Sequence, residues 1–233
     1  MRTARTLLLS LLLFSTTTFG ETLEHGPRSQ PTVALTFDAC AAKDATYDKE
    51  VIETLRREKV PATLFLSGRW MERFPKHTRA LAKDPLFEIG VHGHRHRNPV
   101  LADDPKLEEE FSLPLTVLKE LTGLTAKLYR APFGILDARV VQAAEKHGLT
   151  AVQFDLASGD PDPKISEEKL ATYVSTRARN GSIVVLHMNG RGWQTAKALP
   201  KIISGLRARG FTFVHATQMR TEKPRKLAQA PRK

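Results

Sequence analysis

Between Thr32 and Ala216 the chain alternates repeatedly between a short, apolar, β-prone segment and a longer stretch with helical spacing. The β-prone segments are TVALTF (32–37), PATLFLSG (61–68), FEIGV (87–91), AKLYR (126–130), TAVQFD (150–155), SIVVLH (182–187) and FTFVHA (211–216). Helical spacing covers 48–57, 69–81, 107–121, 136–146, 166–179 and 195–208. Strands that alternate with helices of this length pair in parallel through crossovers. SIVVL is apolar at every position, as a strand buried on both faces must be. Seven such segments without a change of composition predict one α/β domain over residues 31–219. The expected architecture is a distorted (β/α) barrel with about seven parallel strands, TIM-barrel-like; an open doubly wound sheet is the competing arrangement. Gly148 and Gly210 stand where helices should stop. Pro114, inside the third helical stretch, should kink or split it.

The flanks read differently. Residues 1–20, MRTARTLLLSLLLFSTTTFG, place two arginines before a leucine-rich core and end in small and polar residues. That is the layout of a secretory signal peptide, with an uncut membrane anchor as the alternative. The expected location is therefore the periplasm or the medium. Residues 21–30 are polar and read as loose, and residues 220–233, RTEKPRKLAQAPRK, read as a basic, disordered tail. A net charge of +11 favours anionic cell-wall or membrane surfaces as partners. Export, and the lack of interleaved basic and aromatic residues, argue against nucleic acid. Cys40 is the single cysteine, so no internal disulfide can form. The oligomeric state is not legible.

Parallel α/β folds carry their chemistry at the carboxyl ends of the strands. Here the first strand runs into Asp38, the third into His92, the fourth into Arg130, the fifth into Asp155 and then Asp160, and the sixth into His187. Five strands thus deliver ionisable residues to one rim. The stretch GVHGHRHRNP adds His94 and His96. If it turns into a loop after FEIG, His92 and His96 converge at i, i+4, a spacing that suits a metal, and His94 points away. Arg95 and Arg97 read as a solvated loop or as contacts to an anionic substrate.

LTFDAC, VHGHRH, YRAPFG, FDLASGD and VVLH, in that order, resemble the five motifs of the polysaccharide deacetylases, carbohydrate esterase family four, also called the NodB-homology domain. The resemblance runs from about Pro31 to Ala216 and implies removal of acetyl groups from a glycan with the help of a divalent metal, zinc being the leading choice. Carried over, it implies Asp38 as catalytic base, His92 and His96 as metal ligands and Arg130 as the residue that holds the base. It implies His187 as catalytic acid, supported by Asp160. Leu186 would line the acetyl pocket and the Phe133 N–H would help hold the oxyanion. Two positions depart from the pattern. Ala39 stands where the third metal ligand is expected, leaving Asp38, Cys40, Asp44 or Asp48 to compensate; Asp48 also reads as a helix N-cap. Pro161 replaces an expected tryptophan, for which Trp193 is a possible substitute. His94 is expected to face solvent and Asp155 to be structural.

Three functions compete. The leading one is an exported metal-dependent deacetylase acting on peptidoglycan or another N-acetylated polysaccharide. The second is a non-catalytic glycan- or wall-binding protein with a degenerate site, favoured by Ala39 and Pro161. The third is a cysteine hydrolase using Cys40 and His187, which leaves His92 and His96 without a role.

Overall fold

The computed structural model describes residues 22–220. The expected signal peptide, and the tail beyond Arg220, lie outside the described residues. The strands are β1 (Thr32–Ala39), β2 (Ala62–Leu66), β3 (Phe87–Val91), β4 (Leu128–Tyr129), β5 (Thr150–Ala151), β6 (Leu156–Ala157), β7 (Ser182–His187) and β8 (Thr212–Phe213). The helices are α1 (Lys49–Arg57), α2 (Gly68–Arg73), α3 (Pro75–Ala82), α4 (Asp104–Thr122), α5 (Ala138–Lys146), α6 (Glu167–Arg177) and α7 (Thr195–Ala208).

Every strand pairing is parallel. Seven strands follow one another in the order β5-β4-β3-β2-β1-β7-β6, and β8 pairs with the start of β1. β5 and β6 lie at opposite ends of that order, yet only residues 152–155 join them. Five residue steps reach at most about 18 Å, so the two edges must face each other and the sheet curls into a distorted barrel. The arm before β1 spans the gap. At one edge, Leu23 N donates to Ala151 O (2.9 Å) and Gln153 N to Leu23 O (2.8 Å). At the other, Gly26 N donates to Gly181 O (2.7 Å), and Arg28 contacts Asp155 and Asn180 O. Residues 22–28, expected to be loose, are thus fastened to both edges.

Alternation along the strands sorts side chains into two cores. Val33, Leu35, Phe37 and Ala39 of β1 face the helices with Leu64, Val91, Tyr129 and Leu186. Ala34, Phe65, Leu128, Val152 and Ile183 fill the interior. Gly90 exists for this packing: a methyl there would meet the Phe65 ring at 2.7 Å. Residues of the same parity as the interior set, at the carboxyl ends, open into the site.

Several expected boundaries move. The stretch 69–81 is two helices, because Pro75 begins α3 and disfavours helical geometry at Phe74. Pro114 does not split its helix: α4 runs unbroken, held on both sides of the proline by buried Leu107, Phe111 and Leu118. TAVQFD is not one long strand. Its first two residues form β5, and the chain then crosses to start β6 at the opposite edge.

Candidate active site

A cavity of about 280 Å³ opens at the carboxyl ends of the strands. Asp38, Cys40, His92, His96, Phe133, Pro161, Val185, His187 and Arg191 are among the residues that line it. A larger cavity, about 570 Å³, lies under the arm around Thr22–Arg28 and Met219. It gathers none of these groups, so the chemistry singles out the smaller one.

Two ion pairs organise the site. Arg130 is fully buried and threads the barrel: Nη1 donates to Asp38 Oδ1 (3.0 Å) and Thr36 Oγ1 (2.6 Å), and Nη2 to Gln153 O (3.0 Å). Its guanidinium carbon sits 4.1 Å from the Phe65 ring centroid. Burial alone would raise the Asp38 carboxyl, but the charges of Arg130, His92 and His187 outweigh it and hold Asp38 below the usual carboxylate range. Asp160, also fully buried, accepts at both oxygens: from His187 Nδ1 (2.9 Å) and Ser158 Oγ (3.0 Å), and from His187 N (2.7 Å) and Thr195 Oγ1 (2.6 Å). Burial pushes the His187 imidazole down, but the bond and charge of Asp160 more than reverse this and leave it above the ordinary histidine value.

His92 Nδ1 lies 2.9 Å from Arg130 O. A carbonyl only accepts, so Nδ1 carries the proton and the Nε2 lone pair is left for a Lewis acid. That Nε2 is 3.8 Å from Asp38 Oδ2. The His96 ring stands edge-on to His92 at 4.9 Å and to Phe133 at 4.6 Å. Burial, reinforced by His92, pulls His96 down to about 3, and burial lowers His92 as well, so both imidazoles are neutral donors. His96 takes this position through a left-handed backbone, φ 57°. The bend before it is fixed by Glu110, only 1% exposed, whose carboxylate accepts from His94 N (2.8 Å) and Arg95 N (3.1 Å). Gly93 lets Glu110 approach, since a methyl there would meet Glu110 Oε2 at 2.5 Å.

As a metal centre this donor set is only partly complete. Two neutral imidazoles with open nitrogens, beside the Asp38 oxygen not bonded to Arg130, suit a divalent cation. Among the described residues, however, no three His, Cys, Asp or Glu side chains form a ready metal site. Ala39 packs among the helix-facing core residues. Asp44 is exposed, and Asp48 caps α1 by accepting from Val51 N (3.3 Å); neither lines the cavity. Cys40 does line it, with Sγ accepting from Asn189 Nδ2 (3.3 Å). Burial pushes the Cys40 thiol up, the reverse of what a cysteine nucleophile requires.

Other expected positions land elsewhere. Leu186 has the wrong parity: it belongs to the helix-facing core, and Val185 lines the cavity in its place. Phe133 is at the cavity, φ 61°, its N–H without a protein acceptor among the described residues. Trp193 does not line the cavity; it is 59% exposed, and its backbone N–H donates to Asp160 O (3.2 Å). His94 is buried rather than solvent-facing, its ring packed on the Gly68 backbone. Asp155 accepts from Ser182 Oγ (3.0 Å) and Ile183 N (2.8 Å) at the start of β7, so it sits at the opposite end of the barrel from the site. Arg95 is exposed and Arg97 half-buried, 3.9 Å from Glu109. Glu110, Asn189, Thr195 and Arg191 have site roles that motif reading missed. For Glu110 a signal existed: it falls on the apolar stripe of Leu107, Phe111, Pro114 and Leu118.

A family model described as polysaccharide deacetylase matches residues 25–152. A peptidoglycan-N-acetylglucosamine deacetylase of Bacillus cereus is 31% identical over 198 residues, which cover 83% of this chain and 90% of the relative. A solved peptidoglycan N-acetylglucosamine deacetylase superposes with a TM-score of 0.78 at 27% identity, covering 85% of this chain and 92% of the other. A solved family pseudoenzyme from Bacillus anthracis also reaches 0.78, at 21% identity over 85% of this chain and 68% of that one, a likeness of fold alone.

Proposed function

Because this chain belongs to the polysaccharide deacetylase family, we propose that it is an exported hydrolase that removes acetyl groups from an N-acetylated glycan of the cell envelope, peptidoglycan being the first candidate. One observation carries the reading: the Asp38–Arg130 and Asp160–His187 pairs meet the open nitrogens of His92 and His96 around a single cavity.

The two pairs supply opposite halves of an amide hydrolysis. Asp38, kept ionised by Arg130, accepts a proton from water as its oxygen attacks the acetyl carbon. His187, kept protonated by Asp160, gives a proton to the sugar nitrogen as the C–N bond breaks and its electron pair passes to nitrogen. An amine leaves poorly until protonated, so the raised imidazole is the group that this step needs. The open Phe133 N–H can donate to the developing oxyanion. His92 and His96 are the residues that would hold a divalent cation, zinc first, which would supply Lewis acidity.

Acetate release from N-acetylated oligosaccharides by the purified chain, lost in Asp38→Asn and in His187→Ala, tests the proposal. The second reading, a glycan-binding protein without turnover, is favoured by the incomplete ligand set at Ala39 and by Pro161. Glycan binding without acetate release, with zinc supplied, would support it instead.

A further inference from the structure

Arg191 is the one charged side chain lining the cavity that neither half of the hydrolysis uses. Its backbone is fixed from both sides. Before it, Thr46 N donates to Asn189 O (3.0 Å), Asn189 Nδ2 to Cys40 O (2.8 Å), and Gly190, φ 85°, would press a methyl to 2.9 Å from Thr46 Oγ1. After it, a methyl on Gly192 would strike Thr195 Oγ1, His187 O (2.6 Å) and Asp160 Oδ2 (2.7 Å). The loop therefore runs flush against the catalytic pair and holds Arg191 at the cavity mouth. The remaining charges there are matched, Asp38 with Arg130 at 3.0 Å and Asp160 with His187 at 2.9 Å. Among the described residues no carboxylate lies within salt-bridge distance of Arg191, and its side chain is exposed. The cavity thus presents an uncompensated positive charge on an anchored loop. A guanidinium is a planar fork shaped for a carboxylate.

We infer that Arg191 is a specificity residue that binds a carboxylate on the glycan, so that the preferred substrate is an acidic N-acetylated sugar chain rather than a neutral one. This rests on the deacetylase reading and names its substrate class. Arg191 acts by binding and moves no proton.

The test uses two N-acetylated oligosaccharides of identical length, one with free carboxylates and one with each carboxylate converted to a carboxamide. Both kcat/KM for acetate release and Kd, followed by tryptophan fluorescence, are measured. The wild-type chain should favour the acidic member about two- to fivefold in both, the range that one exposed ion pair supplies. The preference should reside in KM, shrink in 0.5 M salt, and fall to about one in Arg191→Gln, while Arg191→Lys keeps part of it. Equal Kd for the two sugars with the wild-type chain, or a preference unchanged in Arg191→Gln, overturns the inference. A Kd preference that depends on Arg191 without any acetate release sinks the activity and upholds the carboxylate site.

Discussion

Asp160→Asn is the sharpest perturbation of the site, because it removes a charge while leaving the volume unchanged. Asp160 accepts four hydrogen bonds, two of them from His187. An amide accepts on one side only. If its NH₂ faced the His187 backbone N–H, two donors would meet; turned toward Nδ1, it requires the imidazole to give up the Nδ1 proton. The second arrangement costs less, and it leaves His187 neutral, with its proton on Nε2. Burial is then opposed only by the more distant Asp38 charge, so the His187 titration midpoint should fall from its raised position. At pH 7 the general acid disappears and acetate release should drop about 10²- to 10³-fold. In the wild type the raised value means that pairing stabilises the fold fully below about pH 6.5, and that this contribution fades as pH rises through the folded value. The stability gap between wild type and D160N should therefore be widest in acid, about 2–3 kcal/mol for lost charge-assisted bonds, and narrow in alkali. NMR titration of ¹³Cε1-labelled histidine and thermal melts at two pH values measure both. A His187 midpoint that stays put or rises in D160N would refute the reasoning.

Four further outcomes follow from the same geometry. Arg130→Lys keeps the charge but cannot span Thr36, Asp38 and Gln153 with one ammonium, and should cost about 1–3 kcal/mol in chemical denaturation for the buried acceptor it leaves unmatched. Glu110→Ala strips the acceptor from the His94 and Arg95 N–H groups and should cost about 1–3 kcal/mol, for the buried His94 donor. In that variant hydrogen exchange should accelerate first in residues 93–97. Gly192→Ala forces the loop off the Asp160–His187 pair and should lower the melting temperature by several degrees, with about 1–3 kcal/mol lost to overpacking. Chelation should abolish acetate release and zinc should restore it, except in His92→Ala.

Much of the site could be read from sequence because parallel strands order it. Asp38, His92, Arg130 and His187 each follow an apolar run at its carboxyl end, with a parity that turns them inward. Parity also explains the failures. Leu186 and Val185 are adjacent, and only the pleat decides which one meets the cavity. Asp155 is structural, as expected, but it reaches the rim only if TAVQFD is one strand; the chain instead crosses between sheet edges there, and local composition does not encode that crossing. The same long-range closure hides the role of the arm, whose polar residues look solvated until both edges are present. Glu110 resembles its acidic neighbours Glu108 and Glu109, and only its place on the buried face of α4 distinguishes it.

The most direct measurement is acetate released from an N-acetylated oligosaccharide by the zinc-supplied chain, compared between wild type and Asp38→Asn at equal thermal stability. Turnover in the wild type and a loss of at least about 10²-fold in the variant are expected. Equal release by the two proteins would contradict the base role of Asp38.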